Sequence, residues 1–220
     1  MKKLFLFVAL FVVPIVAYLF FASGVNSFIK LPTITEEVPE LPITWNVVGD
    51  EQLALKNKIT ILGFTGTDFE RIEGNMTNLA HKIYDRNKDF VDFQVVYIAP
   101  EGSESEIESF QQKLGHNLNL YRFYFVLAPV DEIESYHSQL GLLGNLDSVY
   151  GTSQVYIIDK ELNLRGRKGE NKKGEEEYRE GYNTISAADL HNEMSDDVKV
   201  ILAEYRLALK KNNRIENVTE

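Results

Sequence analysis

The sequence predicts an α/β three-layer sandwich behind one N-terminal transmembrane helix, and three observations predict it. An uncharged apolar run from Leu4 to Ala22 follows two lysines. Short β-branched runs then alternate with stretches whose apolar residues recur at helical spacing. A strand pair and a long amphipathic helix come last, which puts helices and an antiparallel edge around a parallel centre.

The first element, residues 1–24, reads as a transmembrane anchor, because a run near 20 apolar residues crosses a hydrocarbon core of about 30 Å. Lys2 and Lys3 ahead of it favour an N-inside orientation, with the rest of the chain on the far side. A cleaved signal peptide is the competing reading, since Ala22-Ser23-Gly24 offers small residues to a peptidase; the length of the run favours the anchor. Residues 25–43, with Pro32, Pro39, Pro42 and acidic Glu36, Glu37 and Glu40, read as an extended tether.

The globular domain is expected over residues 44–212. Ile59 to Phe64 and Phe93 to Ile98 read as buried strands. Between them Met76, Leu79, Ala80, Ile83 and Tyr84 form the single apolar face of a helix laid on a sheet. Ser103 with Glu106 carries a capping-box signature for a helix through Leu114. Arg122 to Leu127 reads as a strand, and Pro129 and Asp131 introduce a helix carrying Ile133, Tyr136 and Leu140. Gln154 to Ile158 and Leu162 to Arg165 read as a hairpin about Asp159-Lys160-Glu161. Gly169 to Glu180 is charged and poor in apolar residues, and reads as a solvated loop. Ser186 with Asp189 opens the last helix, with Leu190, Met194, Val198, Ile201, Leu202, Tyr205 and Leu209 on one face. Residues 213–220 should fray. This order of elements is a thioredoxin-like plan.

Composition narrows the chemistry. In 220 residues, 44% hydrophobic and 11% aromatic, there is material for one packed core plus an anchor. The formal net charge of -10 argues against nucleic acid as a partner, because phosphate backbones bind surfaces rich in Lys and Arg. Cysteine is absent from the whole chain, which removes disulfides, thiolate nucleophiles, cysteine-based zinc sites and dithiol redox chemistry together.

Gly63-Phe64-Thr65-Gly66-Thr67-Asp68-Phe69-Glu70-Arg71 resembles the Phe-Thr-x-Cys-x-x-x-Cys loop of the Sco/SenC copper chaperones, which help assemble the copper centre of cytochrome oxidase. Val155-Tyr156-Ile157-Ile158-Asp159 resembles that family's later apolar strand ending in Asp, and Arg165-Gly166 follows as in bacterial members. The resemblance implies one membrane anchor and a thioredoxin-like domain. It also places the family's two copper-binding cysteines at Thr67 and Arg71 and its histidine at Gly151. Hydroxyl, guanidinium and bare backbone cannot replace thiolate and imidazole toward copper, and a fixed charge at Arg71 repels a metal ion.

Other candidates are thin. His81 and Asp85 share a helix face at i, i+4, but two ligands do not make a metal site. His116, His137 and His191 have no ligand-spaced neighbours and read as surface or hydrogen-bonded structural residues. Thr65, Thr67 and Asp68 have no recognisable base, and Thr67 or Asp68 reads as a helix cap. Arg165-Gly166-Arg167-Lys168 is a small basic cluster, either a docking spot for an acidic partner or lipid headgroups or a solvated turn. Asn75-Met76-Thr77 and Asn217-Val218-Thr219 match the glycosylation sequon, which has meaning only in a eukaryotic secretory pathway.

No catalytic, cofactor-binding or metal residue is therefore expected, and the chain does not read as an enzyme. The expectation is a non-catalytic Sco/SenC-like binding or assembly module of the cell envelope. It would be held in the cytoplasmic (inner) membrane through residues 4–22, with its domain on the periplasmic side and an envelope or membrane protein as partner. The alternative is a copper chaperone for oxidase assembly that uses a different soft site, built from Met76 and the histidines.

Overall fold

The structure, a computed structural model, describes residues 8–22, 30–49, 53–171 and 174–216. At the N-terminus a π-helical turn, Val8–Val12, runs into helix α1, Val13–Ala22. Pro14 has no N–H for the carbonyl one turn back, and the ladder widens just ahead of it. Leu10, Phe11, Val12, Val13, Ile15, Val16 and Tyr18 are all exposed. Among the described residues no helix is long and apolar enough to cross a membrane. The start of the expected span, Leu4 to Phe7, lies outside the described residues.

Strands β1 (Thr33–Thr35) and β2 (Asn46–Val47) precede β3 (Ile59–Phe64). Helix α2 (Phe69–Leu79) continues through a π-helical turn, Ala80–Tyr84, into the short α3 (Asp85–Asn87). Then come β4 (Phe93–Pro100), α4 (Glu104–Gly115), β5 (Phe123–Ala128), α5 (Val130–Gln139), β6 (Gln154–Ile158) and β7 (Leu164–Arg165). The chain ends with β8 (Arg167–Glu170), β9 (Glu176–Arg179), β10 (Tyr182–Asn183), a π-helical turn Asp189–Met194 and α6 (Ser195–Glu216).

The main sheet runs β1-β7-β6-β3-β4-β5-β2, with β10 also paired to β6. β3, β4 and β5 are parallel, while β6 is antiparallel to β3 and β7 to β6. Every residue of β3 and β4 is buried, as central parallel strands covered on both faces must be. Alternate side chains sort into two cores. Ile61, Val95 and Phe125 meet Ile72 and Met76 of α2, Phe110 of α4, and Val198 and Ile201 of α6 on one face. Leu62, Phe64, Val96 and Ile98 meet Ile133 and Tyr136 of α5 on the other.

That second face corrects the tether. From Leu31 onward the segment is part of the domain: β1 pairs β7 at one sheet edge and β2 pairs β5 at the other. Between them Val38, Leu41 and Trp45 are buried against the sheet. One helix, α5, cannot cover a face this wide, and the strap also pairs both strand edges, which would otherwise expose a free backbone ladder. Its prolines suit this, since Pro belongs to extended edge backbone.

Three local expectations also change. Ser103 precedes α4, but its side chain makes no capping bond, and Glu106 accepts from the Ser105 hydroxyl at 2.8 Å instead. Residues 169–180 are not one loop: β8 and β9 pair antiparallel from Arg167↔Arg179 to Glu170↔Glu176. Composition pointed to loop because this hairpin buries little; it is held by ladder bonds and by Arg167, which reaches Asp197 at 2.8 Å. The strand expected from Leu162 forms only at Leu164–Arg165, because Leu162 sits in the turn at φ 68. The last helix begins as expected, with Ser186 Oγ accepting from the Asp189 amide at 3.1 Å. It runs to Glu216, and the end of the expected frayed tail lies outside the described residues.

Candidate functional site

β3 delivers the chain to the end of the sheet at Phe64, and the next residues fold back against the loop before β6. Buried Thr65 bridges to Gly151, and the Thr67 amide donates to the Val149 carbonyl at 2.7 Å. Asp68 then caps α2, its carboxylate accepting from the Arg71 amide at 3.3 Å. Phe69 turns inward onto Phe110 and Phe125, which orients the first turn of α2. Arg71, one turn along, thereby points across the loop.

The loop opposite is shaped by Asp147. One carboxylate oxygen accepts from the amides of Val149 and Gly151, each at 3.0 Å. The other oxygen accepts from the Arg71 guanidinium. Burial works to raise the Asp147 carboxyl, but the Arg71 bond and the two amides outweigh it and hold the group below its ordinary range. The two loops touch so closely that only glycine fits between them. A Cβ at Gly66, which sits at φ +68, would lie 2.4 Å from the Val149 carbonyl oxygen. One at Gly151 would lie 2.7 Å from the Thr65 carbonyl oxygen and 3.2 Å from Arg71 Nη2.

Thr67, Arg71 and Gly151 are thus brought together, as the loop alignment implies. What they form is a closed ion pair over a backbone contact. The Thr67 hydroxyl donates to the Val149 carbonyl at 3.5 Å, Arg71 is engaged by Asp147, and Gly151 has neither a donor nor room for one. This donor set does not fit copper. Beside it a cleft of about 430 Å³ is lined by Arg71, Asn75, Asn145, Asp147, Thr152 and Ile185 among others. A second cleft of about 640 Å³ adjoins it through Asn145 and Thr152, walled by Leu143, Tyr178 and Glu180. Glu180 holds the rim of this second cleft, accepting from the amides of Leu143 and Gly144 at 2.8 and 2.7 Å.

No family model matches the chain, and no curated protein matches it. Solved structures do. A thioredoxin-family thiol:disulfide interchange protein from Chlorobium tepidum is 16% identical with a TM-score of 0.49, covering 78% of this chain and 99% of its own. ScoI from Arabidopsis thaliana with copper bound is 15% identical, TM-score 0.47, covering 70% and 94%. The soluble domain of Sco1 from Bacillus subtilis is 16% identical, TM-score 0.47, covering 76% and 93%. The sheet, with parallel β3, β4 and β5, antiparallel β6 and helices on both faces, is a mixed α/β sandwich.

The remaining candidates disperse. His81, His116 and His191 are exposed, and Asp85 is taken by Lys88 at 2.6 Å. Met76 lies fully buried in the α2 core, whereas His137 is buried on α5 on the opposite sheet face. Among the described residues no group of three or more His, Asp or Glu side chains could hold a metal ion.

His137 corrects the expectation of a surface or hydrogen-bonded histidine. Its ring sits edge-on to Phe64 at 5.1 Å, and Nε2 has no partner. Burial pulls its pKa down, against the pull of Glu180 upward.

The basic cluster is likewise not a docking spot. Arg165 is buried on Asp159 at 2.8 Å, and Arg167 is spent on Asp197, Glu193 and Glu177; only Lys168 is exposed.

The residue that sequence reasoning missed is Asp147. Its turn has a local signal, an Asp ahead of a Gly, but its partner Arg71 is far away in the chain.

Proposed function

We propose that the chain is a membrane-anchored, non-catalytic Sco/SenC-like module that works in the cell envelope by binding or assembling another envelope protein. Its domain would stand on the periplasmic side of the cytoplasmic membrane, on the anchor of residues 4–22. The observation that carries this reading is the Arg71–Asp147 pair closed over Gly151. It occupies the place where the resemblance puts two thiolates and an imidazole, and it leaves no ligand there. The exposed apolar segment of α1 supports the anchor, since such side chains need a lipid or protein cover.

On this reading the partner would meet the double cleft, whose rims carry exposed Leu143, Tyr178 and Ile185. Two measurements test the reading. A Cu(I) competition titration of the detergent-solubilised chain should show no competition with a chromogenic chelator. A photo-crosslinker at Ile185 should capture one envelope protein in cells, with capture lost when Asn145 is changed to Arg. Stoichiometric Cu(I) binding, weakened by Met76→Ala, would instead establish the relocated copper site.

A further inference from the structure

The loop 88–92, ahead of β4, lies at the end of the sheet opposite the clefts, because β3 and β4 are parallel and the clefts stand past the last residue of β3. Val91 at its tip is 68% exposed, and Tyr121 beside it is 43% exposed. Five cations surround this loop. Lys58 donates to the Val91 carbonyl at 3.3 Å, and Arg122 to the carbonyls of Lys88 and Phe90 at 3.1 and 2.6 Å. Arg122 also lies over the Tyr121 ring at 4.8 Å, and Arg206 over Phe90 at 5.1 Å. Lys160 and Lys58 reach Asp92 at 2.8 and 3.8 Å, and Lys88 reaches Asp85 at 2.6 Å. Among the described residues Arg122 and Arg206 have no carboxylate within ion-pair distance. In a chain of net charge -10, Arg122 and Arg206 thus leave positive charge without a carboxylate partner beside these exposed apolar groups.

The same end carries the junction with the N-terminal segment. Lys30 pairs with Glu204 at 3.1 Å, Tyr205 bonds Glu161, and Arg206 covers Phe90, so three consecutive residues of α6 connect that junction to the loop. Because the strap belongs to the domain, only residues 23–29 separate α1 from it. Seven residues reach about 25 Å at most. α6 continues past the patch, and its sequence adds Lys210, Lys211 and Arg214.

We infer that this end of the domain, Val91 and Tyr121 within their ring of Lys and Arg, docks on anionic phospholipid headgroups and turns the clefts away from the bilayer. The inference rests on the membrane anchor proposed above. Tyr and basic residues are the side chains that settle at a headgroup surface, and anionic lipid attracts the cations.

The test uses the full chain reconstituted in phosphatidylcholine vesicles with and without phosphatidylglycerol. With no native cysteine, Val91→Cys, Tyr121→Cys and Ile185→Cys each carry one polarity-sensitive fluorophore. Headgroup quenchers should reach positions 91 and 121 but not 185, and only with phosphatidylglycerol. The neutralising changes Lys58→Gln and Arg206→Gln should each weaken docking about five-fold, the size of one basic residue near an anionic leaflet. Salt at about 1 M, where the Debye length is about 3 Å, should abolish it. Equal quenching at 91 and 185, or quenching indifferent to phosphatidylglycerol, overturns the inference while vesicle flotation still reports the anchor intact. A chain that does not float with the vesicles overturns the anchor and the docking together.

Discussion

Arg71, in the first turn of α2, closes on Asp147 across the mouth of a cleft, and Gly151 lies beneath the guanidinium with no room for a β-carbon. The two members of this pair are not equivalent. Arg71 is half-exposed, and its ion pairs with Asp147 and, at 4.0 Å, with Asp68 are exposed ones of the kind worth about 0.5 kcal/mol. Asp147 also satisfies the amides of Val149 and Gly151. Arg71→Ala should therefore cost less than about 1 kcal/mol in urea unfolding, and Asp147→Ala about 2 kcal/mol, as loss of a capping carboxylate does. Equal costs would mean that the ion pair, not the turn, organises the loop.

Gly151→Ala should destabilise by about 2 kcal/mol or more, the size of an overpacking defect, because the new methyl group meets backbone that cannot move aside. Gly74 serves as the control. It lies in α2 with nothing near its missing β-carbon, so Gly74→Ala should stabilise by about 1 kcal/mol. Thermal unfolding of the two variants decides, and a neutral Gly151→Ala would show the loops to be separable.

Stability should fall as pH drops below about 6.5, the unfolded value for histidine, because His137 is held below that value by burial. The unfolded chain then binds a proton that the folded chain refuses. The contribution is intact above the unfolded pKa, erodes as pH falls through the window toward the depressed folded value, and levels off beneath it. His137→Phe should flatten this slope and, by removing the unpartnered Nε2, raise stability at pH 7 by about 1 kcal/mol. An unchanged slope in urea titrations across pH 5 to 7.5 would assign the effect elsewhere.

The strap should be indispensable. A fragment beginning at Thr44 loses Leu31, Val38 and Leu41, and with them the Leu31 carbonyl that Arg165 Nε meets at 2.8 Å. It should not fold, whereas a fragment beginning at Lys30 should give a cooperative transition. Trp45, whose indole N–H donates to Glu132 at 2.6 Å, reports the difference through its emission wavelength. Arg165→Met should cost about 3 kcal/mol or more by stranding the buried Asp159.

Much of the fold was legible because its signals are local. β3 and β6 occupy the residues their β-branched runs marked, and the apolar periodicity of α2 and α6 became their buried faces. The loop alignment also placed Thr67, Arg71 and Gly151 together, because a strand end and a returning strand must meet in this topology. What misled were segments whose partners are remote. The strap reads as a tether since prolines and glutamates say nothing of the sheet face waiting for Val38, Leu41 and Trp45. The β8–β9 hairpin reads as loop because a two-stranded ladder on the surface needs backbone bonds more than apolar side chains.

By itself the sequence determined that cysteine chemistry is absent, that a mixed α/β core forms, and that an apolar segment leads into it. These follow from composition and from periodicity within one element, which short-range geometry dictates. Only the tertiary structure decided that Asp147 closes on Arg71, that His137 is buried without a partner for Nε2, and that Arg165 and Arg167 are internal ties. It also brought Arg122 and Arg206 beside the loop 88–92. Each of these depends on which groups become neighbours after long stretches of chain have packed, and the energy of a charge or a polar atom is set by those neighbours.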